Sequence, residues 1–126
     1  MRFLIVDDAE HVRESLRVII ELEPGWEVAG AVADAQHGLL LARQCQPAVV
    51  LLDAHLPGID IPAVTRELKA LPDQPVIVLV VVHDTREARA QGLRSGADLV
   101  ISKVEGVTGL LGALRGYLGQ SLLATP

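Results

Sequence analysis

The chain has 126 residues, half of them hydrophobic, and carries a net charge of −5. That length supports one domain with one core and is too short for two ordinary domains. The acidic balance argues against unaided binding to nucleic acid or anionic membranes, which needs clustered Lys and Arg.

The run Arg2–Val6 reads as a strand ending on Asp7-Asp8, a pair that also interrupts the only N-terminal apolar run and so argues against a signal peptide. Val12, Leu16, Ile19 and Ile20 recur at helical spacing, and Pro24-Gly25 then makes a turn. A second strand is expected over 26–32 and a less periodic helix over about 35–44. The lone cysteine, Cys45, excludes an internal disulfide and reads as a small apolar filler. The third strand, 48–52, leads into Asp53 and the breaker Pro57-Gly58. Ile61, Val64, Leu68 and Leu71 mark a third helix, and 75–81 a fourth strand. The fourth helix, about 85–95, is the most polar, with Arg86, Arg89 and Arg94. After Gly96 come a fifth strand, 99–101, and a last helix striped by Val107, Leu110, Leu111, Leu114 and Leu118. Three strands are near-continuous Val, Ile and Leu, as in strands covered on both faces. Aromatics are only 2% of the chain, so the core must be aliphatic. No apolar run approaches the roughly 20 residues of a membrane span, and a cytoplasmic protein is expected.

Three of these runs end in charge: Asp7-Asp8, Asp53 and Lys103. Charge at the carboxyl end of a buried strand serves a site rather than a core, and in an open parallel sheet sites lie beyond those ends. The carboxylates suit a hard cation, and the lysine suits a transferred anion.

With Asp7-Asp8, Asp53-Ala-His-Leu-Pro57-Gly58, Gly96-Ala97-Asp98 and Lys103 in order at these strand ends, the chain resembles the receiver domain of response regulators over about residues 1–118. The stretch from Gly96 to Lys103, with no proline after the lysine, is similar to receivers of LuxR-type regulators. The resemblance implies a flavodoxin-like (βα)5 doubly wound α/β sandwich with a parallel sheet of order 2-1-3-4-5. It assigns 1–120 to the receiver and 121–126 to a tail or the start of a removed linker. It implies phosphotransfer from a histidine kinase or phosphotransfer protein to Asp53, with Mg²⁺ held by Asp8, Asp53 and the His55 backbone carbonyl. Asp7 would act through water and Lys103 would pair with the phosphoryl group. It also implies a changed surface on the fourth helix, fifth strand and fifth helix, with no turnover activity beyond assisting its own phosphotransfer; the Arg-rich fourth helix could pair with acidic residues across a homodimer on that face, or be a solvated helix.

Two switching parts depart from the pattern. Val81 stands where the fourth strand's Ser or Thr is usual, and Val100 where the fifth strand's aromatic is usual. A valine keeps the bulk of threonine but cannot donate a hydrogen bond. Tyr117 lies in the last helix and is no substitute. His55 and His83 are expected at the pocket rim, where they could hold water, shield a phosphoryl group or take a transition metal. The alternative reading is a pseudo-receiver that binds partners without phosphorylation.

Other motifs fit less well. Asp53-x-His55-x-x-Gly58 matches a cobalamin-binding pattern, but that pattern belongs after the first strand. A haloacid-dehalogenase-type phosphatase needs a second acid where His55 stands. A flavodoxin-type phosphate loop is contradicted by the acidic Asp7-Asp8-Ala9-Glu10.

Overall fold

The computed structural model describes residues 1–124. Five strands alternate with helices: β1 (Arg2–Val6), α1 (Glu10–Glu21), β2 (Glu27–Val32), α2 (Ala35–Cys45), β3 (Val49–Asp53), α3 (Ile61–Lys69), β4 (Val76–Val81), α4 (Arg86–Arg94), β5 (Leu99–Ser102) and α5 (Gly106–Ala124). The sheet order is β2-β1-β3-β4-β5, and every pairing is parallel.

Alternation along the strands builds two cores. Leu4, Val6, Val50, Leu52, Leu79 and Val100 point to the face that also packs Ala42 of α2 and Leu68 of α3. Phe3, Ile5, Val49, Leu51, Val78 and Ile101 point to the other, against Ile20 of α1 and Leu110, Leu114 and Leu118 of α5. Right-handed crossovers explain the split. The step from β1 to β2 runs one way along the sheet, and all later steps run the other way. The reversal leaves a crevice beyond the carboxyl ends of β1 and β3, where ligands bind in such sheets.

Caps fix the helix starts. Asp34, Asp60 and Thr85 accept from backbone N–H groups of His37, Ala63 and Ala88, satisfying donors a helix start leaves orphaned. Leu56-Pro57-Gly58-Ile59 closes with Ile59 N–H on Leu56 C=O at 3.2 Å, and Gly58 takes φ +67°. Proline then glycine at the two central positions is the residue order of a type II turn.

The element ends differ from expectation by a residue or two. Asp53 is the last residue of β3, because its pairing with Val80 extends the ladder. Ser102 extends β5 by pairing with Val81. The last helix continues to Ala124, into the stretch expected as a tail; residues 125–126 and the side chain of Val107 lie outside the described residues. Cys45 closes α2 half-buried, and burial pushes its thiol pKa up.

Candidate functional site

Asp7 is held at the end of β1 by its own backbone: its N–H donates to Val32 C=O at 3.0 Å. Its Oδ1 accepts from Ala9 N–H at 2.9 Å, and its carbonyl accepts from Arg13 Nη1 at 2.8 Å. Asp53 repeats the device at the end of β3, with Oδ1 accepting from His55 N–H at 2.9 Å. In both, a carboxylate accepts from the N–H two residues on, the turn geometry that short acidic side chains favour. Both residues are only 2% exposed, whereas Asp8 is exposed. One oxygen from each of Asp7, Asp8 and Asp53 lies within 4.8 Å of the others.

Lys103 follows β5 and opens a short 3₁₀ turn (Lys103–Glu105). Its Nζ stands 3.1 Å from Asp7 Oδ2 and 3.4 Å from Asp53 Oδ2. Burial by itself would lower the Lys103 pKa. The hydrogen bond to Asp7 and the charges of Asp53 and Asp7 outweigh it and hold the ammonium above its ordinary value. Three carboxylates facing one ammonium leave a local excess of negative charge. Octahedral Mg²⁺ holds oxygens about 2.1 Å away, so its direct ligands stand up to about 4.2 Å apart. Three carboxylate oxygens this close together form an all-oxygen cluster of the kind a hard divalent cation takes.

Val81 ends β4 buried, and its side chain offers no donor. Val100 is also buried, and Gly92 of α4 lies directly over it. The imidazole of His55 reaches across the loops: its Nε2 accepts from Val82 N–H at 3.2 Å. His83 is exposed, and its carbonyl accepts from Thr85 N–H at 3.0 Å. Thr85, the nearest hydroxyl after β4, is committed to the α4 cap through Ala88 N–H at 3.0 Å. Of the α4 arginines, Arg89 pairs with Asp84 in its own chain.

Two residues inside the Gly96–Lys103 stretch make contacts that the sequence reading did not assign. The Ser102 hydroxyl donates to Val82 C=O at 2.9 Å and accepts from Val104 N–H at 3.1 Å, so it ties the β4 and β5 ends together beside Lys103. Its position, closing a buried strand before the lysine, is the one available signal. Asp98 Oδ2 accepts from Lys69 Nζ at 2.5 Å and from Ile77 N–H at 2.8 Å, which pins the start of β4 and not the site.

The family model of the response regulator receiver domain matches residues 3–115. The chain therefore belongs to the response regulator receiver domains of two-component systems. It is 34% identical over 121 residues to Response regulator MprA of Mycolicibacterium vanbaalenii, covering 96% of this chain and 52% of that protein. It is 34% identical over 103 residues to a protein-glutamate methylesterase/protein-glutamine glutaminase of Anaeromyxobacter dehalogenans, covering 82% of this chain and 30% of that one. The chain thus spans about a third to a half of the length of these relatives. Among solved structures, a LuxR-family two-component response regulator from Aurantimonas sp. SI85-9A1 superposes with TM-score 0.84 at 28% identity, over 94% of this chain and 85% of that one. The fold, its strand order and the likeness to LuxR-family receivers agree with the sequence reading. Among the described residues no helix is long and apolar enough to cross a membrane.

Proposed function

We propose that this domain relays a two-component signal by taking a phosphoryl group onto Asp53. The observation that carries the reading is Lys103 Nζ at 3.1 and 3.4 Å from the nearly buried Asp7 and Asp53, with an Asp8 oxygen within 4.8 Å of theirs. An Asp53 oxygen forms a bond to phosphorus while the P–N bond of a donor phosphohistidine breaks. The bonding pair leaves on the imidazole nitrogen, which takes up a proton. Lys103 pairs with Asp53 at rest and turns to the phosphoryl oxygens afterwards, offsetting charge where it develops. Asp8, Asp53 and the His55 carbonyl would hold Mg²⁺, with Asp7 acting through water. When bound, the ion supplies charge neutralisation on the phosphoryl oxygens. The donor is a histidine kinase or phosphotransfer protein, residues 1–120 form the receiver unit, and the α4–β5–α5 face serves a homodimer.

The test is intact-protein mass after incubation with acetyl phosphate, with and without Mg²⁺, beside Asp53→Asn. A single Mg²⁺-dependent phosphoryl adduct, absent from the variant, is expected. No adduct on the wild type, and no retention of beryllofluoride, would leave a domain that binds partners unphosphorylated.

A further inference from the structure

Val82 is gripped from both sides. Its N–H donates to His55 Nε2 at 3.2 Å, and its C=O accepts from the Ser102 hydroxyl at 2.9 Å. Three residues on, Thr85 caps α4. The Val82 peptide is thus tied to residues outside the β4–α4 connection, whereas His83 and Asp84 bond forward to Thr85 and Arg89. His55 also touches the other end of the site, because its backbone N–H donates to Asp53 Oδ1 at 2.9 Å. One residue thus contacts the carboxylate through its main chain and the approach to α4 through its side chain. An N–H can donate only to a ring nitrogen with a free lone pair, so this contact requires the His55 tautomer that leaves Nε2 open.

The devices that could otherwise carry a change to α4 are absent from the buried strands. Val81 has no polar atom, and Val100 has no ring to swing. Gly92 of α4 packs tightly over Val100, since a Cβ on Gly92 would already meet Val100 Cγ2 at 2.8 Å. Beside His55, by contrast, a groove of about 640 Å³ opens between α3 and α4, floored by Val81, Ala88 and Gly92. The α4 side of this groove is Ala88, Gln91, Gly92 and Ser95, three of them small, so α4 has room to shift.

We infer that His55 is the positioning residue that couples Asp53 to α4, through its backbone N–H on the carboxylate and its imidazole on Val82. The inference rests on Asp53 being the phosphoacceptor. Phosphoryl transfer turns the Asp53 carboxylate into an acyl phosphate and moves its negative charge onto the phosphoryl oxygens, so Oδ1 becomes a weaker acceptor for His55 N–H and the 53–55 turn readjusts. At 3.2 Å the imidazole bond is already at the long end of the N–H donor range, so a small shift breaks it. Val82 is then held only by Ser102, and the approach to α4 is free to move into the groove.

The experiment follows backbone amides by ¹⁵N NMR and hydrogen exchange in wild type, His55→Ala and His55→Gln. Each protein is saturated with Mg²⁺ and beryllofluoride, and occupancy is read independently by ¹⁹F NMR. At rest, Val82 N–H should exchange about fivefold faster in His55→Ala, as expected for one lost hydrogen bond. On loading, the amides of Val82 and residues 85–88 should shift in wild type. They should barely move in His55→Ala at equal occupancy. His55→Gln, whose side-chain oxygen can accept from Val82 N–H, should recover part of the response. A wild-type α4 response in loaded His55→Ala would overturn the coupling while leaving the phosphoacceptor reading intact. Failure of His55→Ala to load would also overturn it, by moving His55 into the acceptor chemistry. A wild type that loads neither beryllofluoride nor acetyl phosphate would refute the phosphoacceptor reading, and the coupling with it.

Discussion

Gly92→Ala is a sensitive probe of how α4 sits on the sheet. In an open helix interior, alanine for glycine stabilises by about 1 kcal/mol, because glycine loses more backbone freedom on folding. Gly92 is not in the open: a Cβ there would lie 2.8 Å from Val100 Cγ2 and 3.0 Å from Leu79 Cδ2. Carbon atoms prefer about 3.5–4.0 Å, so α4 would have to lift by several tenths of an ångström. Valine cannot turn aside easily, since its branched β-carbon restricts χ1. Overpacking of this kind costs about 1–3 kcal/mol, which leaves Gly92→Ala destabilised by about 0–2 kcal/mol. Gly112 and Gly116 in α5 serve as the control, because a Cβ at either meets nothing within 4 Å. Alanine at either should stabilise by about 0.5–1 kcal/mol. Urea unfolding followed by circular dichroism measures all three. Adding Val100→Ala to Gly92→Ala should open the space and give a favourable coupling of about 1 kcal/mol in a double-mutant cycle. A Gly92→Ala protein stabilised as much as Gly112→Ala would refute the close approach of α4 to Val100.

The cation site should show as metal-linked stability. Mg²⁺ at a hundred times its Kd should raise stability by about 2.7 kcal/mol, and Asp8→Asn should lose most of that gain in a thermal melt. Lys103 sets an alkaline limit. Its folded pKa is raised, so its stabilisation is complete below the ordinary value of 10.5 and is lost as pH rises through the raised value. Wild-type urea midpoints should therefore fall in that range faster than those of Lys103→Met, which is already weaker at neutral pH; parallel curves would count against the pairing. Val81→Thr restores a donor beside the site, and a hydrogen bond to a charged group is worth about 1.5–3 kcal/mol. Its phosphoryl adduct from acetyl phosphate should be more abundant or longer-lived, and an unchanged yield would show that the position does not limit phosphorylation.

The sequence by itself determined the α/β alternation and the charges at the strand ends, while the strand order was implied by the resemblance to receivers and is the one observed. Continuous runs such as 49–52 and 76–81 can be buried only on both faces of a sheet. Asp7, Asp53 and Lys103 interrupt or end such runs where a core would not tolerate them, so they were legible as a site before any distance was known. Val81 and Val100 were legible as missing chemistry only against the receiver pattern that the chain resembles. Only the tertiary structure decided what the loops do with that absence. That His55 accepts from Val82, that Ser102 holds the other side of the same peptide, and that Gly92 closes the space over Val100 are contacts between residues 27, 20 and 8 positions apart. No local periodicity records them. They exist because parallel crossovers bring the ends of β3, β4 and β5 side by side, and the geometry of that edge, rather than any one segment, sets which side chain meets which backbone group.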